Sequence, residues 1–169
     1  LFSPVPPRRR LAIMQEKTGA FFELAASLGA IVAEASARSS AAVRCFGRRF
    51  GVAFQIADDV LDLTGDPAAL GRANGTDLRD GVLTLPVLLG GDPALPHLLA
   101  QVRTTSDAGA VTRCIAAIVE SGGTTAAADI ARWWLERAVA ADWHPRDAFE
   151  RHWAGELVAE IGRASCRER

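Results

Sequence analysis

Phe54-Gln55-Ile56-Ala57-Asp58-Asp59-Val60-Leu61-Asp62-Leu63 is the stretch on which the reading of this chain turns. Apolar residues flank three aspartates, and neither glycine nor proline interrupts the run. On a helix, Asp58 and Asp62 lie one turn apart on the same face, with Asp59 about 100° round from Asp58. Like charges at that spacing repel, and aspartate is a poor helix former. The apolar residues between them require part of the segment to be buried, and carboxylates at the edge of a core are costly unless a cation neutralises them. A merely solvated acidic face would have polar flanks, which this one lacks. Hard oxygen ligands at this density suit Mg2+, which completes its octahedron with waters and phosphate oxygens.

Outward from this run the chain reads as helix. Residues 11–37 are rich in alanine and leucine, with Leu11, Met14, Phe21, Leu24, Leu28 and Ile31 at spacings of three, four and seven. A second helix is predicted over 40–63 and stops at Thr64-Gly65-Asp66-Pro67. A loop carrying Gly71, Gly75 and Gly81 follows, and Thr84 opens an apolar segment with Leu85, Val87, Leu88 and Leu89. Further helices are predicted over 93–103, 108–121, 124–141 and 145–159, with breaks at Gly122-Gly123 and His144-Pro145. No run alternates with period two over the length of a strand, so the expected fold is all-α, a helical bundle.

A chain of 169 residues has room for one domain with its own core. Its 49 % hydrophobic and 23 % charged residues are those of an ordinary globular protein. A net charge of −1 gives no electrostatic reason to expect nucleic acid as a partner. No apolar run reaches the roughly 18–20 residues of a transmembrane segment, and the start lacks the pattern of a signal peptide. Cys45, Cys114 and Cys166 match no metal or redox spacing, which points to reduced thiols and a cytoplasmic setting. Trp133, Trp134, Trp143 and Trp153 are expected to anchor the C-terminal helices in the core.

The two ends stand apart. In residues 1–10, Pro4, Pro6 and Pro7 lead into Arg8-Arg9-Arg10, which reads as a disordered or truncated start. Residues 160–169, EIGRASCRER, have no apolar periodicity, and back-translate without a gap to a common sequencing adapter. They read as adapter read-through, expected to pack against nothing, and leave 11–159 as the folded part.

The pattern Gly51-x-x-Phe54-Gln55-x-x-Asp58-Asp59-x-x-Asp62 resembles the second aspartate-rich motif of trans-prenyltransferases, the polyprenyl diphosphate synthase family. Gly71-Arg72-x-x-Gly75-Thr76-Asp77-Leu78-Arg79-Asp80-Gly81-x-x-Thr84-Leu85-Pro86 is similar to the family's following loop, and Lys17-Thr18 falls where it keeps a lysine–threonine pair. The resemblance implies the C-terminal half of an isoprenoid synthase helical domain. It also implies an activity: an allylic diphosphate is condensed with isopentenyl diphosphate to a longer polyprenyl diphosphate, with Mg2+ as cofactor. By the same resemblance Asp58 is the principal metal ligand, with Asp59 and Asp62 supporting it. Lys17 and Arg72 bind the substrate diphosphate, and Thr18 and Gln55 line the path of the carbocation. A homodimer is implied for the full-length protein.

Three features depart from the family. Arg72 stands where lysine is usual, keeping the charge with a bidentate fork. Val82 stands where a second lysine is common. The first aspartate-rich motif would lie upstream of Lys17 and is not in this sequence, so the chain alone is expected to be inactive. Two alternatives stay open at this point: a non-catalytic subunit of a heteromeric prenyl diphosphate synthase, and a terpene cyclase of the same fold. Asp58-Asp59-x-x-Asp62 argues against the cyclase, whose second metal motif is usually of an asparagine/serine/glutamate type. Geometrically, the carboxylates of Asp58 and Asp62 and the ammonium of Lys17 are expected to face one cleft.

Overall fold

A computed structural model describes residues 5–104 and 108–140. Among them every regular element is helical. In chain order these are α1 (Pro7–Met14), a π-helical turn (Gln15–Gly19), α2 (Ala20–Val32), α3 (Ala37–Thr64) and α4 (Pro67–Leu70). They continue with α5 (Thr76–Arg79), α6 (Leu85–Leu89), α7 (Leu95–Thr104), α8 (Ala108–Glu120) and α9 (Gly123–Val139). The expected helix over 145–159, the 160–169 tail, Trp143 and Trp153 lie outside the described residues. No helix among the described residues is long and apolar enough to cross a membrane.

The first helix begins earlier than the proline–arginine composition suggests. Pro7 opens α1 with φ already fixed near the helical value, and the amides of Arg9 and Arg10 bond the Pro6 carbonyl at 2.8 and 3.1 Å. Pro7 to Arg10 are therefore helical, within the stretch that the sequence reads as a disordered or truncated start.

The described residues divide into two compact units, one within residues 5–10 and 56–129, the other within 11–55 and 130–140. In the first, α7 and α8 pack on each other, and Leu99, Val102, Val111, Cys114 and Ile118 are buried in a core that Leu63 and Leu78 join. Burying a leucine or isoleucine of this kind contributes roughly 1.5–3 kcal/mol. Helices of four or five residues are too short to persist alone. Here each has a local stop or start: the Asp66 carboxylate accepts from the Ala68 amide at 2.9 Å beside Pro67, and Thr84 enters α6 in an extended conformation before Pro86. Sequence periodicity cannot register such short helices, and α4 and α5 fall within the predicted loop.

The second unit is organised around α2 and the first half of α3. Phe22 of α2 meets Phe50 and Phe54 with ring centroids at 5.3 and 5.4 Å, and Phe46 stacks on Phe50 at 5.7 Å. Leu135, Ala138 and Trp134 close this cluster from α9. Trp133 turns the other way, 47 % exposed, with the Arg137 guanidinium 4.0 Å from its ring centroid, so only one of the described tryptophans packs against the core.

The expected single helix over 11–37 is interrupted by the π-helical turn and ends at Val32. An i→i+5 turn inserts one residue, which rotates everything after it by about 100°. Met14, before the turn, is buried as expected, whereas Phe21 and Ile31 are 68 % and 72 % exposed, with Leu24 and Leu28 beside them. The face that packs inward carries Phe22 and Ala30 instead.

Glycine permits the close approach inside this unit. A Cβ on Gly51 would lie 2.9 Å from the Thr18 carbonyl oxygen and 3.0 Å from the Phe22 ring. Gly51→Ala is therefore expected to lower stability by about 1–3 kcal/mol in thermal or denaturant unfolding, through overpacking. In the first unit, burial pushes the Cys114 thiol up from 9.0 to about 11. Cys114 should stay unmodified by a thiol-alkylating reagent at pH 8 while Cys45 reacts, read by mass spectrometry of the native chain. Because its folded pKa is the higher one, the stability Cys114 contributes is complete below pH 9.0 and is lost as pH rises through about 11.

Candidate active site

Three aspartates within two turns of α3 meet three different surroundings. Asp58 is 54 % exposed. Asp59 and Asp62 are 1 % and 2 % exposed. A step of 100° per residue turns Asp59 from the open face to the packed one, and Asp62 is brought to the floor of the loop that follows.

That loop is built on Asp62. Its Oδ1 accepts from Arg72 Nη1 at 2.8 Å and from the Thr76 amide at 3.3 Å, and its Oδ2 accepts from the Asp77 amide at 3.1 Å. Its backbone carbonyl takes the Gly75 amide at 2.7 Å. Thr76 and Asp77 open α5, so the carboxylate caps two amides that have no partner within that helix. Gly75 enters α5 at φ +76°, a left-handed conformation, and a Cβ there would lie 2.6 Å from Val111. Asp59 serves α6 similarly, its Oδ2 accepting from the Leu85 amide at 3.4 Å.

Arg72 lies between two of the carboxylates. Its Nη1 is on Asp62 and its Nη2 is 3.8 Å from Asp58 Oδ1. The family resemblance implies a diphosphate for Arg72; here it is also a counter-ion of the aspartate run. Two further residues are given no role by the sequence reading. Asn74 Nδ2 donates to the carbonyls of Leu63 and Gly65 at 3.1 and 2.9 Å, ending α3 where the loop begins. The carboxyl of Asp77 is pushed up by burial, and then by the negative charges of Asp62 and Asp58, against the opposing pull of Arg10 and Arg72. The available signal was the acid in the first turn after Gly75, a common helix-start pattern that does not by itself mark a site.

Among the described residues no three His, Cys, Asp or Glu side chains converge as a ready-made metal cage. Mg2+ does not need one: it is usually bound through one or two carboxylates, with water and substrate phosphate oxygens filling the remaining positions. The exposed Asp58 carboxylate fits such a partial site.

In the other unit, Lys17 and Thr18 fall within the π-helical turn, a distortion frequent at functional sites. Lys17 is exposed. The Thr18 hydroxyl donates to Gln55 Oε1 at 2.9 Å, which joins these two sequence-selected residues across 37 positions. With its proton committed to Gln55, the Thr18 oxygen presents acceptor lone pairs to anything else.

The family profile described as Polyprenyl synthetase matches residues 7–118. Geranylfarnesyl diphosphate synthase of Aeropyrum pernix is 35 % identical over 132 residues, 76 % of this chain and 41 % of that protein. The crystal structure of polyprenyl synthetase from Streptomyces coelicolor A3(2) aligns with a TM-score of 0.82 at 29 % identity, covering 95 % of this chain and 51 % of that one. Polyprenyl synthase from Caulobacter crescentus CB15, complexed with calcium and isoprenyl diphosphate, aligns at 0.80 with 32 % identity, covering 93 % and 49 %. The chain thus spans about half the length of these solved proteins. On the extent of the profile match, it belongs to the polyprenyl synthetase family.

Proposed function

We propose that the whole protein condenses an allylic diphosphate with isopentenyl diphosphate to a polyprenyl diphosphate lengthened by five carbons, and that this chain supplies one face of the diphosphate site. The observation that carries this reading is the loop from Arg72 to Asp77 folded onto Asp58 and Asp62, with Arg72 held by its carboxylate partners. This arrangement sets fixed cationic N–H donors beside an open carboxylate, which is what a metal-bound diphosphate requires. Support also comes from the Caulobacter crescentus relative, whose structure carries calcium and isoprenyl diphosphate.

In this reading the allylic C–O bond breaks and the diphosphate departs. The double bond of isopentenyl diphosphate attacks the carbocation and a new C–C bond forms; the adjacent C–H bond then breaks to re-form a double bond, and its proton passes to the departed diphosphate. Asp58 would hold Mg2+ directly, with Asp59 and Asp62 supporting it from the packed side of α3. Mg2+ neutralises the developing charge on the departing diphosphate when bound. Lys17 contacts that diphosphate, and Arg72 adds a bidentate fork to it. The oxygens of Thr18 and Gln55, already aligned with one another, turn negative dipole ends toward the positive carbon. The full-length protein works as a homodimer in the cytoplasm.

The chain provides carboxylates for one side of the diphosphate only, so alone it is expected to give no elongation. The assay uses the purified chain with labelled allylic diphosphate, isopentenyl diphosphate and Mg2+, then the chain joined to the upstream half of the Streptomyces coelicolor relative. Elongation should appear only in the second case and fall roughly 100-fold or more on Asp58→Ala. Elongation by the chain alone would refute the inactivity. A cyclised hydrocarbon from the joined protein would refute the synthase reading.

A further inference from the structure

The aspartate run looks uniform in sequence, yet its members are unequal in structure. Asp62 is the case that carries an inference. A carboxylate offers about four acceptor positions. Three of those on Asp62 are filled, on both oxygens, by Arg72 Nη1 and the amides of Thr76 and Asp77. The side chain is 2 % exposed. One position, on Oδ2, is left over. With the side chain 2 % exposed, an ion could reach it only if the covering loop moved and took at least one of these donors off the carboxylate, which is strongly unfavourable in a buried setting.

We propose that Asp62 is a positioning residue and not a metal ligand: it holds the Arg72 guanidinium and the Thr76–Asp77 backbone in place beside Asp58. This rests on the functional reading only in taking Asp58 as the carboxylate that meets the ion. The consequence for Arg72 is directional. One edge of its fork is anchored on Asp62 and another nitrogen stands 3.8 Å from Asp58, so its remaining N–H groups keep a fixed orientation. An asparagine at position 62 cannot reproduce this, since its NH2 group would face donors with a donor.

The test is made on the 169-residue chain with Asp58→Asn, Asp62→Asn, Arg72→Gln and the Asp62→Asn/Arg72→Gln double variant. Backbone amide exchange is followed by NMR. In Asp62→Asn the amides of Thr76 and Asp77 should exchange roughly tenfold faster or more, while those of Leu99 and Cys114 in the core hold. In Asp58→Asn all four should be unchanged.

Binding of Mn2+ and of inorganic pyrophosphate is then measured by electron paramagnetic resonance and calorimetry. Asp58→Asn should abolish Mn2+ binding and Asp62→Asn should preserve it. Pyrophosphate binding should fall by the same factor in Asp62→Asn, Arg72→Gln and the double variant, because the two residues act through one guanidinium. Asp62→Asn losing Mn2+ while keeping its loop amides protected would overturn the proposal, and so would additive losses in the double variant. If Asp62→Asn does not fold, the wild-type chain decides: Thr76 and Asp77 should stay protected when Mg2+ and pyrophosphate are added, and their release would overturn the proposal. Wild-type chain that binds no Mn2+ would remove Asp58 as ligand, and the exchange comparison would still decide Asp62.

Discussion

Negative charge placed inside a helical core has to be met by donors, and in the first unit that requirement shapes everything around α3. Asp59 and Asp62 are too buried for water to solvate them. Amides at the starts of α5 and α6 donate to Asp62 and Asp59 respectively, and Arg72 brings positive charge to Asp62. Each partner solves the other's problem, because helix starts carry amides with nothing to bond inside the helix. The loop of residues 71–81 is thereby tied to the helix that bears the open Asp58 carboxylate, and chemistry and folding share one set of hydrogen bonds.

A steric constraint does the comparable work in the second unit. Gly47 and Gly51 leave room for the backbone of α2 to come close, with the Phe22 carbonyl 2.7 Å from where a Cβ on Gly47 would be. The π-helical turn then presents Lys17 and Thr18 on a widened segment, and the Thr18 hydroxyl reaches Gln55. Surface charge adds little here. Glu23 is held below its usual carboxylate range chiefly by its hydrogen bond to Arg44, with Arg48 assisting. Both arginine heads are about half exposed, and such pairs contribute well under about 1 kcal/mol.

Much of this was legible in the sequence, for reasons of pattern. Helical spacing and the lack of alternating runs gave the all-α class, and the apolar neighbours of Asp58, Asp59 and Asp62 marked carboxylates at a core edge. Which carboxylate is open was not legible. It depends on amides 14, 15 and 26 positions further along, which no local pattern reveals. The outward turn of Phe21 and Ile31 was hidden because a π-helical turn shifts the register by one residue without any sequence mark. Helix α1 was obscured by its prolines, although Pro7 at a first helical position favours a helix. Trp133 shows the limit of reading burial from residue type: it lies flat under Arg137 at the surface, where an aromatic face is used without being enclosed.

The hydrogen bonds that Asp62 accepts from Arg72, Thr76 and Asp77, and that Asp59 accepts from Leu85, run forward along the chain. The carboxylates stand on a helix of 28 residues, and the four- and five-residue helices they hold come later. Isolated pieces of that length do not nucleate. A chain made from its N-terminus therefore releases its long template before the short segments that need it, so α5 and α6 need not wait for sequence still to be made to find their acceptors. Order of synthesis and order of dependence coincide, and the loop can take shape as a late addition to a helix already present.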